Sequence, residues 1–137
     1  MRSTAFETLA GLPYFAAFFG ISLVLLTICL ALYVLITPYP EIRLIREGNT
    51  AAAASLGGAI IGFALPLASV VVNSVSLFDM LVWAAVALVV QLAAFAAVRL
   101  MVPAIGRNVR DGQVSSGIFL GAVAIALGIL NAASMTY

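Results

Sequence analysis

The chain has 137 residues, of which 65% are hydrophobic and 8% are charged, and its net charge is +1. A soluble domain carries about 25% charged residues, so this composition excludes a water-facing globular surface and predicts an integral membrane protein. The basic residues are arginines scattered along the chain rather than gathered on one face, which excludes nucleic acid as a partner.

Enzymatic chemistry is also disfavoured by the residue types present. Lysine and histidine are absent, which removes Schiff-base chemistry, histidine acid–base catalysis and histidine metal ligation. The single cysteine, Cys29, has no second thiol with which to form an intramolecular disulfide or a thiolate metal cluster. We therefore expect no enzyme activity, and no catalytic, cofactor-binding or metal-binding residues.

Four apolar stretches cover residues 14–36, 51–72, 79–101 and 115–135. Each is long enough to cross a bilayer, because a helix needs about 20 apolar residues to do so. Pro38 and Pro40 end the first predicted helix, and Pro103 ends the third. The predicted fold is an all-α membrane protein, a single transmembrane domain of four helices over residues 1–137.

The arginines predict the orientation in the membrane. Arg43 and Arg46 lie in the first connection, and Arg99, Arg107 and Arg110 lie at or in the third, whereas the second connection, residues 73–78, has none. By the positive-inside rule, the first and third connections face the cytoplasm and both termini face the periplasm. The expected location is the plasma (inner) membrane.

The two connections that carry arginines also share a motif, which indicates an internal duplication. A shift of 64 residues places one Arg-acid-Gly-amide sequence on another with identical spacing: Arg46, Glu47, Gly48 and Asn49 align with Arg110, Asp111, Gly112 and Gln113. Repeat 1 then covers about residues 14–73 and repeat 2 about residues 78–137. Each is a helical hairpin, so the two hairpins run in parallel about a pseudo-two-fold axis along the membrane normal.

The repeated motif has a structural and a functional interpretation. The glycines Gly48 and Gly112 suit a tight turn, and the amide of Asn49 suits a helix start, while the arginines anchor that end in the headgroups. The same two loops also suit docking of a cytosolic partner or anchoring to anionic lipid. Both interpretations stay open at the level of sequence.

The chain resembles a known family over nearly its whole length. The resemblance rests on LIREGNTA at residues 44–51, LGGAIIGFALP at 56–66, GIFLGA at 117–122 and NAASMTY at 131–137. These segments look like the YjfL-type family of bacterial inner-membrane proteins of unknown function. The resemblance implies a bacterial inner-membrane location, and it carries over no site residues.

Small residues recur at helical spacing on the second and fourth spans. Gly58 and Gly62 share one face of the second span, and Gly117, Gly121 and Gly128 share one face of the fourth. Helices in lipid associate through close backbone approach, so these faces predict helix contacts. The contacts could lie within one subunit or between subunits.

Both small-residue faces become polar toward the predicted outer side of the membrane. Ser69 and Asn73 lie there on the second span, and Asn131 and Ser134 on the fourth. An amide in hydrocarbon needs a hydrogen-bond partner, so this polar cluster either joins helices or lines a hydrated vestibule. On the third span, Asp79 is expected to be the N-cap, with an outer cation site as the alternative, and Gln91 is expected to join helices by a hydrogen bond.

Two functions remain after these exclusions. The first is a small oligomeric membrane scaffold or accessory subunit that works with a cytosolic or membrane protein partner. The alternative is a small oligomeric ion channel or transporter with a polar outer vestibule. Four spans are few for a complete transport path, so both functions favour a homo-oligomer in the lipid bilayer.

Overall fold

The computed structural model describes residues 2–73 and 76–135, which form α helices and short connections. Four helical segments are long and apolar enough to cross a membrane, which confirms the all-α fold with four candidate spans. The helices are, in chain order, α1 (Arg2–Ala10), α2 (Leu12–Ile36), α3 (Glu41–Arg46), α4 (Thr50–Asn73), α5 (Leu77–Met101), α6 (Ile105–Arg110) and α7 (Val114–Ser134).

The first span is longer than hydropathy predicts. Helical hydrogen bonds run through the junction of α1 and α2, since the Gly11 amide donates to the Glu7 carbonyl at 3.2 Å and the Phe15 amide to the Gly11 carbonyl at 3.0 Å. The continuous segment Thr4–Ile36 has 33 residues, which at a rise of ~1.5 Å per residue makes a helix of about 50 Å. The polar side chains near its start hide this extension from a hydropathy pattern.

Two short helices, α3 and α6, occupy the first and third connections, where the sequence patterns predict no helix. α3 and α6 have six residues each and follow Pro40 and Ala104, respectively. A six-residue helix completes fewer than two turns, which is too short for an apolar period to be recognised. Glu41 and Leu44 are buried on α3, and Ile105 and Val109 are buried on α6.

Each short helix ends in the same turn. Gly48 and Gly112 have positive φ angles of 87° and 79°, a conformation that favours glycine. The two turns make the same pair of main-chain hydrogen bonds, which closes a Schellman motif at each helix end. In the first turn Gly48 donates to Ile45 and Asn49 to Leu44, and in the second Gly112 donates to Val109 and Gln113 to Asn108.

The closest helix packing joins α4 to α7 in parallel. Gly117 lies against the Ala51 backbone near the start of both helices, and Gly128 lies against the Gly62 backbone further along. Between them, a Cβ atom on Gly58 would overlap the backbone of Gly121. We call this contact the glycine seam; it comprises Gly58, Gly62, Gly117, Gly121 and Gly128, and it lies within one chain.

The remaining helices pack around the seam. α5 contacts both α4 and α7, and the Gln91 side-chain amide donates to the Ala124 carbonyl at 3.0 Å, as the sequence predicts. α2 lies antiparallel to α4, and the rings of Tyr33 and Phe63 meet edge-on with centroids 5.8 Å apart. Cys29 is buried on α2, and its Sγ lies 3.9 Å from the Ala84 carbonyl of α5.

The prediction that Asp79 is the N-cap of the third span is wrong. α5 begins at Leu77, and the Ser76 hydroxyl accepts a hydrogen bond from the Asp79 amide at 3.1 Å. Ser76 has the extended backbone that an N-cap requires, with φ −154° and ψ 163°. Asp79 is instead in the first turn, where a carboxylate still interacts favourably with the helix dipole.

Replacement of Gly58 by alanine tests the seam. The added methyl group would force α4 away from α7, and we expect Gly58→Ala to reduce stability by an amount on the order of 1–3 kcal/mol. Thermal denaturation in a single detergent measures the effect. Gly57→Ala is the matched control, because a methyl group there meets nothing within 4 Å. An equal loss in both variants would show that stability does not depend on backbone contact at the seam.

Candidate functional site

The polar cluster that the sequence places on the predicted outer side separates into two pairs. The Asn73 side-chain amide donates to the Ser69 carbonyl at 2.9 Å on its own helix, so this pair is satisfied within α4. On α7, Asn131 is half-buried and its Nδ2 has no hydrogen-bond partner, while Ser134 is exposed. Among the residues that the structure describes, no hydrogen bond joins one pair to the other. The outer vestibule therefore stays a prediction.

The repeated loops lie together at the opposite end of the bundle, and Asn49 joins them. Its Oδ1 accepts a hydrogen bond from the Ala52 amide at 2.9 Å, which caps α4. Its Nδ2 donates to the Val109 carbonyl at 2.7 Å and the Arg110 carbonyl at 3.3 Å. One side chain thus fixes the start of α4 against the end of α6.

Arg110 makes the reciprocal connection, because its guanidinium donates to the Pro38 carbonyl at the end of the first span. Arg43 and Glu47 form an exposed ion pair with an N–O distance of 3.9 Å, which contributes little to stability. The other motif side chains are exposed: Arg46, Asp111 and Gln113. The loops therefore form one surface, with Asn49 and Arg110 holding it together and the other polar side chains directed outward.

Beneath this surface lies a buried carboxyl group that the sequence analysis does not single out. Glu41 is 0% exposed, and its Oε1 accepts a hydrogen bond from the Thr37 hydroxyl at 2.7 Å, while Oε2 has no partner. A second buried pair nearby on the chain joins the hydroxyls of Tyr39 and Ser55 at 3.2 Å. Burial raises the pKa of Glu41 to about 7, and the Thr37 hydrogen bond offsets part of that effect.

A signal for Glu41 does exist in the sequence. The shift of 64 residues that aligns the two loop motifs also aligns Glu41 with Ile105. Both side chains are almost completely buried, at 0% and 1% exposure. An acidic residue that aligns with an isoleucine at an inward-facing position is a candidate for a buried functional carboxyl. The described residues contain no group of three or more histidine, cysteine or acidic side chains that could hold a metal ion.

Comparisons with known proteins place these features in a family context. The sequence profile called Domain of Unknown Function (DUF350) matches residues 7–135. The chain is 41% identical over 129 residues to the UPF0719 inner membrane protein YjfL of Escherichia coli strain K12, and the match covers 94% of this chain and 98% of that protein. The protein of the same name in Escherichia coli O157:H7 matches equally well. No solved structure matches the chain significantly.

Glu41 predicts a dependence of stability on pH. Its pKa is about 7 in the folded protein against an ordinary value of 4.5, so the folded state binds the proton more tightly. The stabilisation is complete below pH 4.5, falls as the pH rises toward 7, and is absent above that range. The free energy of unfolding of the wild type should therefore fall by an amount on the order of 1–3 kcal/mol between pH 5 and pH 8. In Glu41→Gln this fall should be absent, and thermal denaturation measures both proteins.

The control for this experiment is Glu47→Gln, because Glu47 is an exposed carboxyl on the same loop. It should keep the pH dependence of the wild type. If the wild type and Glu41→Gln respond equally to pH, the buried carboxyl does not titrate in this range.

Proposed function

Because this chain belongs to the Domain of Unknown Function (DUF350) family and its relatives in Escherichia coli are named inner membrane proteins, we propose that it acts as a homo-oligomeric scaffold or accessory subunit of the bacterial inner membrane. It is an integral membrane protein with four helices that fit a multi-pass arrangement. The proposal assigns oligomer formation to the first span and partner docking to the two loops.

The observation that carries the proposal is an arm at the start of the first span, which we define as residues 4–19. Every residue of the arm is exposed, and the arm holds five exposed aromatic side chains. Ser22, just after it, lines a groove with Val71 and Val72 in the last turns of α4. The arm therefore extends beyond the outer end of its own bundle. Its aromatic residues are Phe6, Tyr14, Phe15, Phe18 and Phe19.

A second copy of the chain is the occupant that suits this arm. The arm has one charged residue, Glu7, so its partner must be apolar. An apolar groove between α2 and α4 lies at the outer end of the bundle, and Ala64 and Ala68 in it leave room for a neighbouring helix. Within its own chain the arm continues the helix of α2 past the end of this groove, since helical hydrogen bonds run through Gly11.

The seam favours a scaffold over a channel. α4 and α7 touch through their backbones, so no solute path runs between these two helices. The alternative function, a small oligomeric ion channel or transporter, is favoured by the unpartnered Asn131 Nδ2 and Glu41 Oε2. Its path would have to run between subunits. The two functions separate on whether the purified protein carries ion flux in liposomes.

We also propose an internal repeat of two helical hairpins and an orientation of the protein in the membrane. Two hairpin repeats related by a pseudo-two-fold axis are supported by the identical turns after α3 and α6 and by the parallel packing of α4 on α7. The loop surface carries Arg43, Arg46, Arg107 and Arg110, and Arg99 lies close to it at the end of α5. We place this end in the cytoplasm and both termini in the periplasm.

Single cysteines test the orientation. With Cys29 replaced by alanine, we expect Leu77→Cys to react with an impermeant thiol reagent added to intact cells, because Leu77 is exposed at the outer end. Gln113→Cys, exposed in the second loop, should react only after the cells are opened. The opposite labelling pattern would invert the orientation and place the arm in the cytoplasm.

The arm predicts the effect of two substitutions on assembly. The rings of Phe15 and Phe19 stack with centroids 5.6 Å apart, and both side chains are exposed. We expect the double variant Phe15→Ala/Phe19→Ala to convert oligomers to monomers, because it removes the stacked rings that would pack against the neighbouring subunit. Multi-angle light scattering in detergent measures the mass of the assembly.

The matched control removes exposed side chains outside the arm, Val89 on α5 and Phe119 on α7. The variant Val89→Ala/Phe119→Ala should keep the wild-type mass. A wild type that is monomeric in both detergent and nanodiscs contradicts the scaffold proposal, and an oligomer that survives the Phe15→Ala/Phe19→Ala change assigns assembly to another surface.

A further inference from the structure

The loop end of the bundle contains a basic cavity, to which the loop motif contributes Arg110 and the glycine seam contributes no residue. It has a volume of about 360 Å³ and lies between the end of α5, α6 and Pro38. Arg99, Arg107 and Arg110 line it, together with the ring of Phe95. Three arginines from two helices therefore line one cavity, which is of the size that small ligands occupy.

Among the described residues, no carboxylate forms an ion pair with the arginines that line this cavity. Within residues 2–73 and 76–135, the ion pair found is Arg43 with Glu47, which lies outside the cavity. Arg110 uses part of its guanidinium to bind the Pro38 carbonyl, and this bond holds the side chain in place. A guanidinium has five N–H donors, so the three arginines keep most of their donors for a ligand. Oxygen atoms of a phosphate match this arrangement.

An apolar groove continues from the cavity along the side of α5. It has a volume of about 500 Å³, is lined by Ala96, Arg99, Leu100 and Pro103, and shares Arg99 and Pro103 with the cavity. Leu100 is 84% exposed, so this side of α5 faces lipid rather than another helix of the chain. The combined site has a cationic end near the loops and an apolar end directed into the membrane.

We propose that this site binds one anionic phospholipid, with its phosphate on Arg99 and Arg107 and an acyl chain in the groove beside Ala96 and Leu100. A free phosphate would use the arginines but leave the groove empty. Arg99 lies two residues before the end of α5 at Met101, and an arginine near the end of a membrane helix can extend toward the lipid headgroups. The site does not depend on the arm or on the number of subunits.

The test measures lipid binding to the purified protein in neutral detergent by native mass spectrometry. The probes are phosphatidylglycerol, phosphatidylethanolamine and inorganic phosphate. We expect phosphatidylglycerol to bind more tightly than phosphatidylethanolamine. The Arg99→Gln/Arg107→Gln variant should bind phosphatidylglycerol roughly thirtyfold more weakly, because each arginine near an anionic headgroup contributes about a factor of five to the affinity.

Two matched controls distinguish the site from general attraction. Arg43→Gln/Arg46→Gln removes the same charge from the other loop and should leave phosphatidylglycerol binding unchanged. Ala96→Trp fills the groove without changing the charge and should weaken binding, whereas Ala97→Trp, an exposed neighbour outside the groove, should not.

Three results would overturn the proposal. The first is an equal loss in the Arg43→Gln/Arg46→Gln variant, which indicates unspecific attraction. The second is unchanged phosphatidylglycerol binding in an Ala96→Trp variant whose thermal denaturation shows that it is folded. This result would show that the acyl chain does not occupy the groove. The third is phosphate binding as tight as phosphatidylglycerol binding, which identifies a site for a soluble anion.

Discussion

Close backbone contact between α4 and α7 is the constraint on which the rest of the structure depends. Lipid is as apolar as the side chains, so helices in a membrane are held together by packing and hydrogen bonds rather than by a hydrophobic driving force. Glycine removes the side chain that would keep the backbones apart, and Gly58 and Gly121 meet directly. Since the two helices are parallel, their starts lie at one end, and Asn49 can reach the Val109 carbonyl there.

The helices and their central contact follow from simple sequence patterns. A span is an apolar run of known length, and Pro38 and Pro103 stop two of the runs close to where α2 and α5 end. The seam residues follow from helical spacing of small side chains, since Gly58 and Gly62 must share a face. These features depend on local composition, and a pattern along the chain contains that information.

The buried carboxyl and the basic cavity depend on how separate segments meet. Glu41 lies three residues after Pro38 in a connection that hydropathy treats as outside the membrane, and its burial comes from α3 folding back onto the bundle. Arg99 and Arg107 belong to different helices, and their convergence needs the turn at Pro103. The N-cap at Ser76 does have a local sequence signal, because Ser76-Leu77-Phe78-Asp79 has the spacing of a capping box, and the apolar run begins at Leu77 rather than at Asp79.

The seam also determines when during synthesis the protein can complete its fold. Val114 follows Thr50 by 64 residues, so the first hairpin enters the membrane before the helix that covers its glycines has been made. At a translation rate of about 5–20 residues per second, α4 is without α7 for roughly 3–13 s. During this interval the surface of α4 at Gly58 and Gly62, which α7 covers in the folded protein, is in contact with lipid. The first hairpin is therefore a translation intermediate, and its small-residue face is open to any neighbouring membrane helix before α7 covers it.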